Sequence, residues 1–249
     1  MYFLPSLYFF LGLIIGSFIN VIIYRLPKNL SIVSPRSFCP KCKNIIPFYR
    51  NIPLITYMIQ FGRCHNCKNR ISIIYPIVEC FIGILFLFSF TFFDNTNTSI
   101  SYAVISSILL SIAIIDYKYY IIPIQLIIVS FLYLSIDLII LKEITNHLSG
   151  MIFGVSYLLI ILIITWMITK RQGLGYGDIQ LILIIGLWHG DLKVFLVIFT
   201  AALFGLISWF FISINKGFDK NRMLPFGTLL SIASIIIYPL KFNLTELFR

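Results

Sequence analysis

Apolar residues dominate the chain in eight runs, which shorter polar and charged segments separate. The runs lie at about residues 4–24, 73–93, 99–115, 121–141, 147–169, 179–190, 192–214 and 224–240. A helix of roughly 18–20 apolar residues crosses a hydrocarbon core of about 30 Å. The pattern therefore predicts an all-α polytopic membrane protein with about eight transmembrane helices.

Composition agrees with a membrane protein and argues against a soluble domain. Hydrophobic residues make up 59% of the 249 residues, charged residues only 11%, and the mean hydropathy is +0.98. The first run, Tyr2 to Tyr24, lacks both the charged n-region and the small-residue cleavage site of a signal peptide. We expect it to be a retained transmembrane helix.

Basic residues collect in alternate loops, and this bias predicts the topology. Four of them fall on one side, whereas fifteen fall on the other: nine from Arg25 to Arg70, with Lys118, Lys170, Arg171, Lys216, Lys220 and Arg222. Cytoplasmic loops carry the excess of Lys and Arg, so the larger set is predicted to be cytoplasmic. The same bias of a protein in a lipid bilayer explains the net charge of +10, and no nucleic-acid partner is expected.

The first cytoplasmic loop, residues 25–72, contains two C-x2-C motifs separated by 21 residues: Cys39 with Cys42, and Cys64 with Cys67. Four such thiolates suit a tetrahedral, closed, structural zinc site. A loop this short buries little core, so a metal is a reason for it to be ordered. Two disulfides and a redox C-x-x-C pair are the alternatives. A cytoplasmic location disfavours stable disulfides, and no thioredoxin-like pattern is present.

Two aspartates lie at the predicted cytoplasmic ends of apolar runs. Asp116 follows the third run and Asp178 begins the sixth. The sixth run is short, since ten steps from Asp178 to Trp188 give only about 15 Å of helix. Asp178 is therefore predicted to lie below the membrane surface, where an ionisable group needs a wet cavity and a partner. A tilted segment with Asp178 at the interface is the alternative.

Two neighbouring carboxylates cannot both ionise cheaply, so one proton is shared between them and the pair can act as base and acid. Asp178 begins a helix, whose positive end favours a carboxylate, and Asp116 ends one, whose negative end favours the acid. The hypothesis is that Asp178 is the base and Asp116 carries the proton. Gly175 and Gly177 permit unusual backbone dihedrals and a close approach of a substrate strand. Glu79, inside the second run, is a candidate partner for Arg25.

Taken together, these motifs resemble those of the bacterial type IV prepilin peptidases, intramembrane aspartic proteases with a G-x-G-D motif. The resemblance covers nearly the whole chain and rests on Gly16 to Val21, Tyr24 to Pro27, both C-x2-C motifs, Asn51 to Pro53, Tyr75 to Glu79, Asp116 with Ile122 and Pro123, Gly173 to Asp178, and Leu224 to Gly227.

This resemblance implies that Asp116 and Asp178 are the catalytic pair. It implies cleavage of short basic leaders from prepilins or pseudopilins at the cytoplasmic face of the bacterial inner membrane, just after a glycine. Many members also methylate the new N-terminus with S-adenosylmethionine, an activity associated with the cytoplasmic part of the chain.

The predicted domains are a first transmembrane helix at 1–24, a zinc-knuckle loop domain at 25–72, and a seven-helix peptidase domain at 73–249. Two other classes of protein are alternatives. A proton-coupled transporter would use the aspartates as an ion relay, although no internal repeat is visible. A non-enzymatic assembly scaffold for a pilus or secretion machine could dock through the zinc loop without needing both aspartates.

Overall fold

The structure is a computed structural model that describes residues 3–141, 144–170, 173, 175–219 and 222–240. Within these ranges the chain is helical and contains no β-strand, only two isolated bridges, Phe38 with Ile45 and Arg63 with Arg70. The all-α prediction is confirmed.

Nine α-helices are present in the described residues, together with two short 3-10 turns at Leu26–Lys28 and Phe48–Arg50. The helices are α1 (Phe3–Arg25), α2 (Ile55–Ile59), α3 (Ile74–Phe92), α4 (Thr96–Tyr119), α5 (Ile124–Leu141), α6 (Ile144–Thr169), α7 (Tyr176–His189), α8 (Asp191–Lys216) and α9 (Phe226–Ile237).

Each of the eight predicted spans coincides with one of the longer helices. Five segments of the described chain are long and apolar enough to cross a membrane: Phe3–Lys28, Ile74–Phe92, Thr96–Tyr119, Ile144–Thr169 and Lys193–Lys216. Helices α5 and α9 contain shorter apolar stretches, and α7 has 14 residues, or about 21 Å. The chain is a multi-pass membrane protein, and the count of eight spans stays a prediction.

Two helix boundaries differ from the sequence prediction in a way that concerns the aspartates. Helix α4 continues to Tyr119, so Asp116 lies within its last turn rather than at its end. Helix α7 begins at Tyr176, which makes Asp178 its third residue. Both shifts arise because polar and aromatic residues extend a helix beyond its apolar run where backbone hydrogen bonds continue, as from the N–H of Tyr120 to the carbonyl of Asp116.

The chain divides into two compact units, Met1–Ser111 and Ile112–Arg249, here called unit 1 and unit 2. In unit 1, α1 packs directly on α3 through glycines spaced four residues apart. A Cβ on Gly12 would lie 2.7 Å from Gly83 Cα, and a Cβ on Gly16 would lie 2.7 Å from Glu79 Cα. Small residues at this spacing let transmembrane helices approach closely.

Unit 2 repeats this arrangement between α6 and α7. A Cβ on Gly150 would lie 2.7 Å from Gly190 Cα, and one on Gly186 would lie 2.5 Å from the carbonyl oxygen of Gly150. Helix α7 is buried around most of its circumference, with Leu181, Ile182 and Ile185 completely inaccessible to solvent. This burial places α7 in the interior of unit 2, and α7 thereby carries Asp178 inward.

Candidate active site and metal centre

Asp178 lies in the first turn of α7 and is only 9% exposed. Its Oδ2 accepts a hydrogen bond from the backbone N–H of Gly175 (3.1 Å), while its own N–H donates to the Gly175 carbonyl (3.1 Å). The first N–H groups of a helix have no partner within the helix, and the positive end of the dipole favours a carboxylate. The predicted place of Asp178 at a helix start is confirmed.

Asp116 is 5% exposed and is held by α9. Its Oδ2 accepts hydrogen bonds from the backbone N–H of Thr228 (2.7 Å) and from Thr228 Oγ1 (3.0 Å). Thr228 is the third residue of α9, so the Asp116 carboxylate serves as the N-terminal cap of that helix. Both aspartates therefore lie at a helix N-terminus, and the contrast in helix ends that assigned the proton to Asp116 is smaller than the sequence indicates.

Both carboxylates belong to unit 2. Asp178 lies close enough to Asp116 for the two groups to interact electrostatically, although 61 residues separate them in the sequence. Ile122 lies beside both supporting helices: a Cβ on Gly177 would be 3.1 Å from Ile122 Cβ, and one on Gly227 would be 2.7 Å from Ile122 Cδ1. That Gly227 Cβ would also come within 3.1 Å of Asp116 Oδ2. Glycine at 177 thus leaves room for Ile122 beside α7, and glycine at 227 lets α9 approach both Ile122 and Asp116.

The glycine-rich turn differs from the sequence expectation in one respect. Gly175 has φ −75° and ψ 146°, an extended conformation open to any residue, and Gly177 is helical. The unusual dihedrals predicted for these glycines are therefore not used. Close approach is used at Gly177, against Ile122. Leu174, within the same turn, lies outside the described residues.

Thr228 is a site residue that the sequence reasoning missed, although it follows directly on the Leu224 to Gly227 motif. Its Oγ1 lies 2.9 Å from the Ala113 carbonyl as well as 3.0 Å from Asp116 Oδ2. One hydroxyl proton serves one acceptor at a time. The hydroxyl can therefore donate to Asp116 when the carboxylate is charged and turn to Ala113 when it is protonated.

We expect Thr228→Val to lower kcat/KM for peptide cleavage about ten- to a hundredfold, because it removes a hydrogen bond to a charged group but keeps the backbone N–H. Thr228→Ser is the matched control, since it retains the hydroxyl and should remain close to the parent. Equal losses in the two variants would contradict a role that belongs to the hydroxyl alone.

In unit 1 the structure brings the four predicted cysteines together. The sulfur atoms of Cys39, Cys42, Cys64 and Cys67 all lie within 4.8 Å of one another, and Cys39 Sγ is 3.9 Å from Cys67 Sγ. Zn–S bonds of about 2.3 Å in a tetrahedron require sulfur atoms about 3.8 Å apart. The arrangement fits zinc, and all four thiols are free of disulfides.

The two knuckles have the same backbone pattern. In the first, the Cys39 N–H donates to the Asn44 carbonyl (3.0 Å) and the Lys43 N–H donates back to Cys39 (2.8 Å). In the second, the Cys64 N–H donates to the Asn69 carbonyl (2.8 Å) and the Lys68 N–H donates to the Cys64 carbonyl (2.9 Å). The backbone N–H of Cys67 lowers the pKa of the Cys64 thiol to about 7, whereas, against the lowering effect of the Asn44 N–H, desolvation and the neighbouring thiols raise the pKa of Cys42 to about 11. His65, which lies between the second pair of cysteines, is exposed and is not part of the sulfur cluster.

Replacing Cys39 by serine is expected to reduce bound zinc from about one equivalent to a small fraction, because a structural site needs its full set of four ligands. Elemental analysis of the purified protein measures this directly. Cys80→Ser is the matched control, since Cys80 lies in α3 outside the cluster. Full zinc retention in Cys39→Ser, or equal loss in Cys80→Ser, would contradict the assignment.

The proposed pairing of Glu79 with Arg25 is wrong, because the structure gives these residues different partners. The Arg25 guanidinium donates to the carbonyls of Ser31 (2.7 Å), Pro35 (2.7 Å) and Arg36 (3.3 Å). Glu79 accepts from the Leu54 backbone N–H (2.9 Å). Loop carbonyls reach Arg25 first because residues 26–36 fold back beside the end of α1.

An all-helical membrane protein with two buried, interacting carboxylates at helix ends has the architecture of an intramembrane aspartic protease. Comparison with protein families gives the same class. Residues 10–93 match the bacterial peptidase A24 N-terminal domain, and residues 103–210 match the type IV leader peptidase family.

Curated relatives extend the similarity along the chain. A prepilin leader peptidase/N-methyltransferase of Bacillus subtilis is 30% identical, over 94% of this chain and 93% of its own length. Enzymes with the same name from Neisseria gonorrhoeae and Pseudomonas aeruginosa are each 28% identical, over 92% and 91% of this chain and 87% of each relative. No solved structure matches. The chain belongs to the type IV leader peptidase family.

Proposed function

We propose that this protein is a membrane-embedded aspartic endopeptidase that removes the short basic leader from prepilins or pseudopilins. Membership of a leader peptidase family supports the reaction, and the choice of catalytic residues rests on the burial of Asp116 and Asp178 and on their electrostatic interaction within unit 2. Two carboxylates whose charges interact do not both ionise cheaply, which favours the one charged and one protonated member that hydrolysis by an acid pair requires.

In the proposed mechanism one carboxylate removes a proton from the attacking water while the other protonates the carbonyl oxygen of the scissile peptide. The Gly175 N–H donates to one oxygen of Asp178, and Thr228 donates to one oxygen of Asp116. Both carboxylates are therefore oriented before substrate arrives. Because Thr228 Oγ1 has two acceptors, the support around Asp116 can follow its change of charge. Asp178 as base and Asp116 as acid remains the working assignment.

The location follows from the charge of the loops. We propose that the protein lies in the bacterial inner membrane with both aspartates on its cytoplasmic side, where fifteen Lys and Arg residues collect. Gly175 and Gly177 flank the backbone beside Asp178 and are proposed to receive the extended leader junction. Residues 73–249 form the proposed peptidase domain, behind the first helix at 1–24 and the zinc-knuckle loop at 25–72.

A second activity is proposed for unit 1, since the curated relatives are also named N-methyltransferases. The sulfur cluster is proposed to hold structural zinc that orders the loop, and S-adenosylmethionine is the proposed methyl donor for the new N-terminus.

The peptidase proposal is tested by incubating the purified protein in lipid nanodiscs with a peptide that carries a basic leader, a glycine and an apolar segment. We expect one cut directly after the glycine, identified by mass spectrometry. The same peptide with a bulky residue in place of that glycine is the control and should stay intact. Absence of cleavage, or equal cleavage of both peptides, would contradict the proposal.

A further inference from the structure

A cavity of about 400 Å³ lies within unit 1, between the ends of α1 and α3 and the loop that carries the knuckles. Its volume lies in the range of small-molecule sites. The lining includes Asn20, Tyr24, Phe38, Tyr75 and Glu79. Aromatic rings and one carboxylate therefore face the same space.

Glu79 is the acidic residue of this lining, and only 9% of its surface is exposed to solvent. The partners that the structure gives its carboxylate are neutral: the Leu54 N–H at 2.9 Å and the side chains of Ser17 and Asn20. A buried carboxylate is costly unless a positive group compensates it. Arg25, the cation that the sequence suggests as its partner, is engaged by three loop carbonyls.

The surrounding loop gives Glu79 unusual isolation. Residues 25–72 contain nine Lys and Arg and no Asp or Glu, yet Glu79 is bonded to a backbone amide and two neutral side chains. A carboxylate on the wall of a cavity that has only neutral hydrogen-bond partners selects a ligand that brings its own positive charge.

Two rings of this lining already attract cations of the chain itself. Lys28 Nζ lies 3.7 Å from the centroid of the Tyr24 ring, and the Arg25 guanidinium carbon lies 5.8 Å from that of Phe38. Rings of this kind attract ammonium-type and sulfonium-type cations through their faces. Arg50 and Arg70 also line the cavity, so a ligand with a carboxylate beside its positive centre has a partner for each charge.

We infer that this cavity binds an organic cation, with Glu79 as its anionic partner. The identity of the cation rests on the proposed methyl transfer. The positive centre belongs to the methyl donor, as sulfonium and ammonium, or to the new α-ammonium of a processed substrate. Glu79 is bonded to Leu54, in the loop, and to side chains of α1, so it lies where ligand binding would join three segments of unit 1.

The test measures binding rather than turnover, by calorimetry on the zinc-loaded full chain in nanodiscs. Two probe pairs separate the two sources of charge. S-adenosylmethionine is compared with S-adenosylhomocysteine, which lacks the sulfonium charge, and a leaderless peptide with a free N-terminus is compared with its N-acetylated form. We expect at least one cationic probe to bind Glu79→Gln at least about tenfold more weakly, and Glu79→Asp to retain most of the affinity.

Each outcome has a defined meaning. A loss confined to S-adenosylmethionine assigns the sulfonium, a loss for both adenosyl compounds assigns the donor's ammonium, and a loss confined to the free peptide assigns the acceptor. Unchanged affinities for all probes in Glu79→Gln, with zinc content and thermal stability also unchanged, would overturn the inference. So would a loss of zinc and stability with no loss of affinity, since Glu79 would then be only a structural support for Leu54.

The leaderless peptide has no cleavage site, so these measurements do not depend on peptidase activity. Failure of the parent protein to cut a leader-bearing peptide would contradict the proposed peptidase without affecting the cavity. Asp94→Asn, an equal change of charge at an exposed position between α3 and α4, is the matched control and should bind every probe as the parent does.

Discussion

Asp178→Asn protein is expected to cleave a leader-bearing peptide at least about a thousand-fold more slowly than the parent, because general acid–base catalysis contributes up to four orders of magnitude. Asparagine has nearly the same shape, and its Oδ1 can still accept the hydrogen bond from the Gly175 N–H. It cannot take up or release a proton. The loss would therefore report chemistry rather than a change of fold, and initial rates of product formation measure it.

Asp116→Asn should also cause a large loss, because asparagine cannot take up or release a proton. Its Oδ1 can still cap α9 at Thr228, so the fold should be kept. The ranking of the two variants tests the roles. If Asp178 is the base, Asp116→Asn should retain more activity than Asp178→Asn, and the reverse order would contradict that assignment. Asp94→Asn, exposed and in unit 1, makes the same chemical change away from the pair and should be fully active.

Gly186→Ala is expected to lower the free energy of unfolding by about 1–3 kcal/mol or more, because overpacking a close helix contact forces backbone shifts. The added Cβ would lie 2.5 Å from the Gly150 carbonyl oxygen and 2.8 Å from both Gly150 C and Met151 Cα. These are backbone atoms of α6, which cannot turn aside as a side chain does. The melting temperature in detergent measures the change, and cleavage should fall with it because α7 carries Asp178.

Gly205→Ala is the matched control for this substitution. Gly205 also lies inside a helix of unit 2, but a Cβ there would meet only the end of the Leu229 side chain, at 3.3 Å. That side chain can move, and alanine favours the helix over glycine, so stability should be unchanged or slightly higher. Equal destabilisation at 186 and 205 would show that the close α6–α7 contact is not what Gly186 provides.

The elements that the sequence predicts well are those fixed by a single strong constraint. A bilayer demands long apolar helices, and the apolar runs mark them. Zinc demands four thiolates at a characteristic spacing, and the sulfur atoms of Cys39 and Cys67 lie together as that spacing requires. Charged groups beside apolar runs are costly, so Asp116 and Asp178 are conspicuous before any fold is known.

The parts that the sequence does not predict depend on which helices meet. The bonds from Thr228 to Asp116 join residues 112 positions apart, and no local pattern specifies that the first turn of α9 contacts Asp116. The same contact gives Asp116 a helix N-terminus, which reverses half of the reasoning from helix ends. Likewise, Gly150 and Gly154 show the G-x3-G spacing of packed membrane helices, but the spacing does not name α7 as the partner of α6.

The most direct test of the central claim, that Asp116 and Asp178 work as one acid pair, is the cleavage rate of the double variant Asp116→Asn/Asp178→Asn. Residues that act as a unit show strongly non-additive losses. We predict that the double variant cleaves the leader peptide at nearly the same residual rate as Asp178→Asn, the slower single variant, with its melting temperature unchanged. A rate lower by the product of the two single losses, or cleavage that survives both substitutions, would contradict a shared catalytic pair.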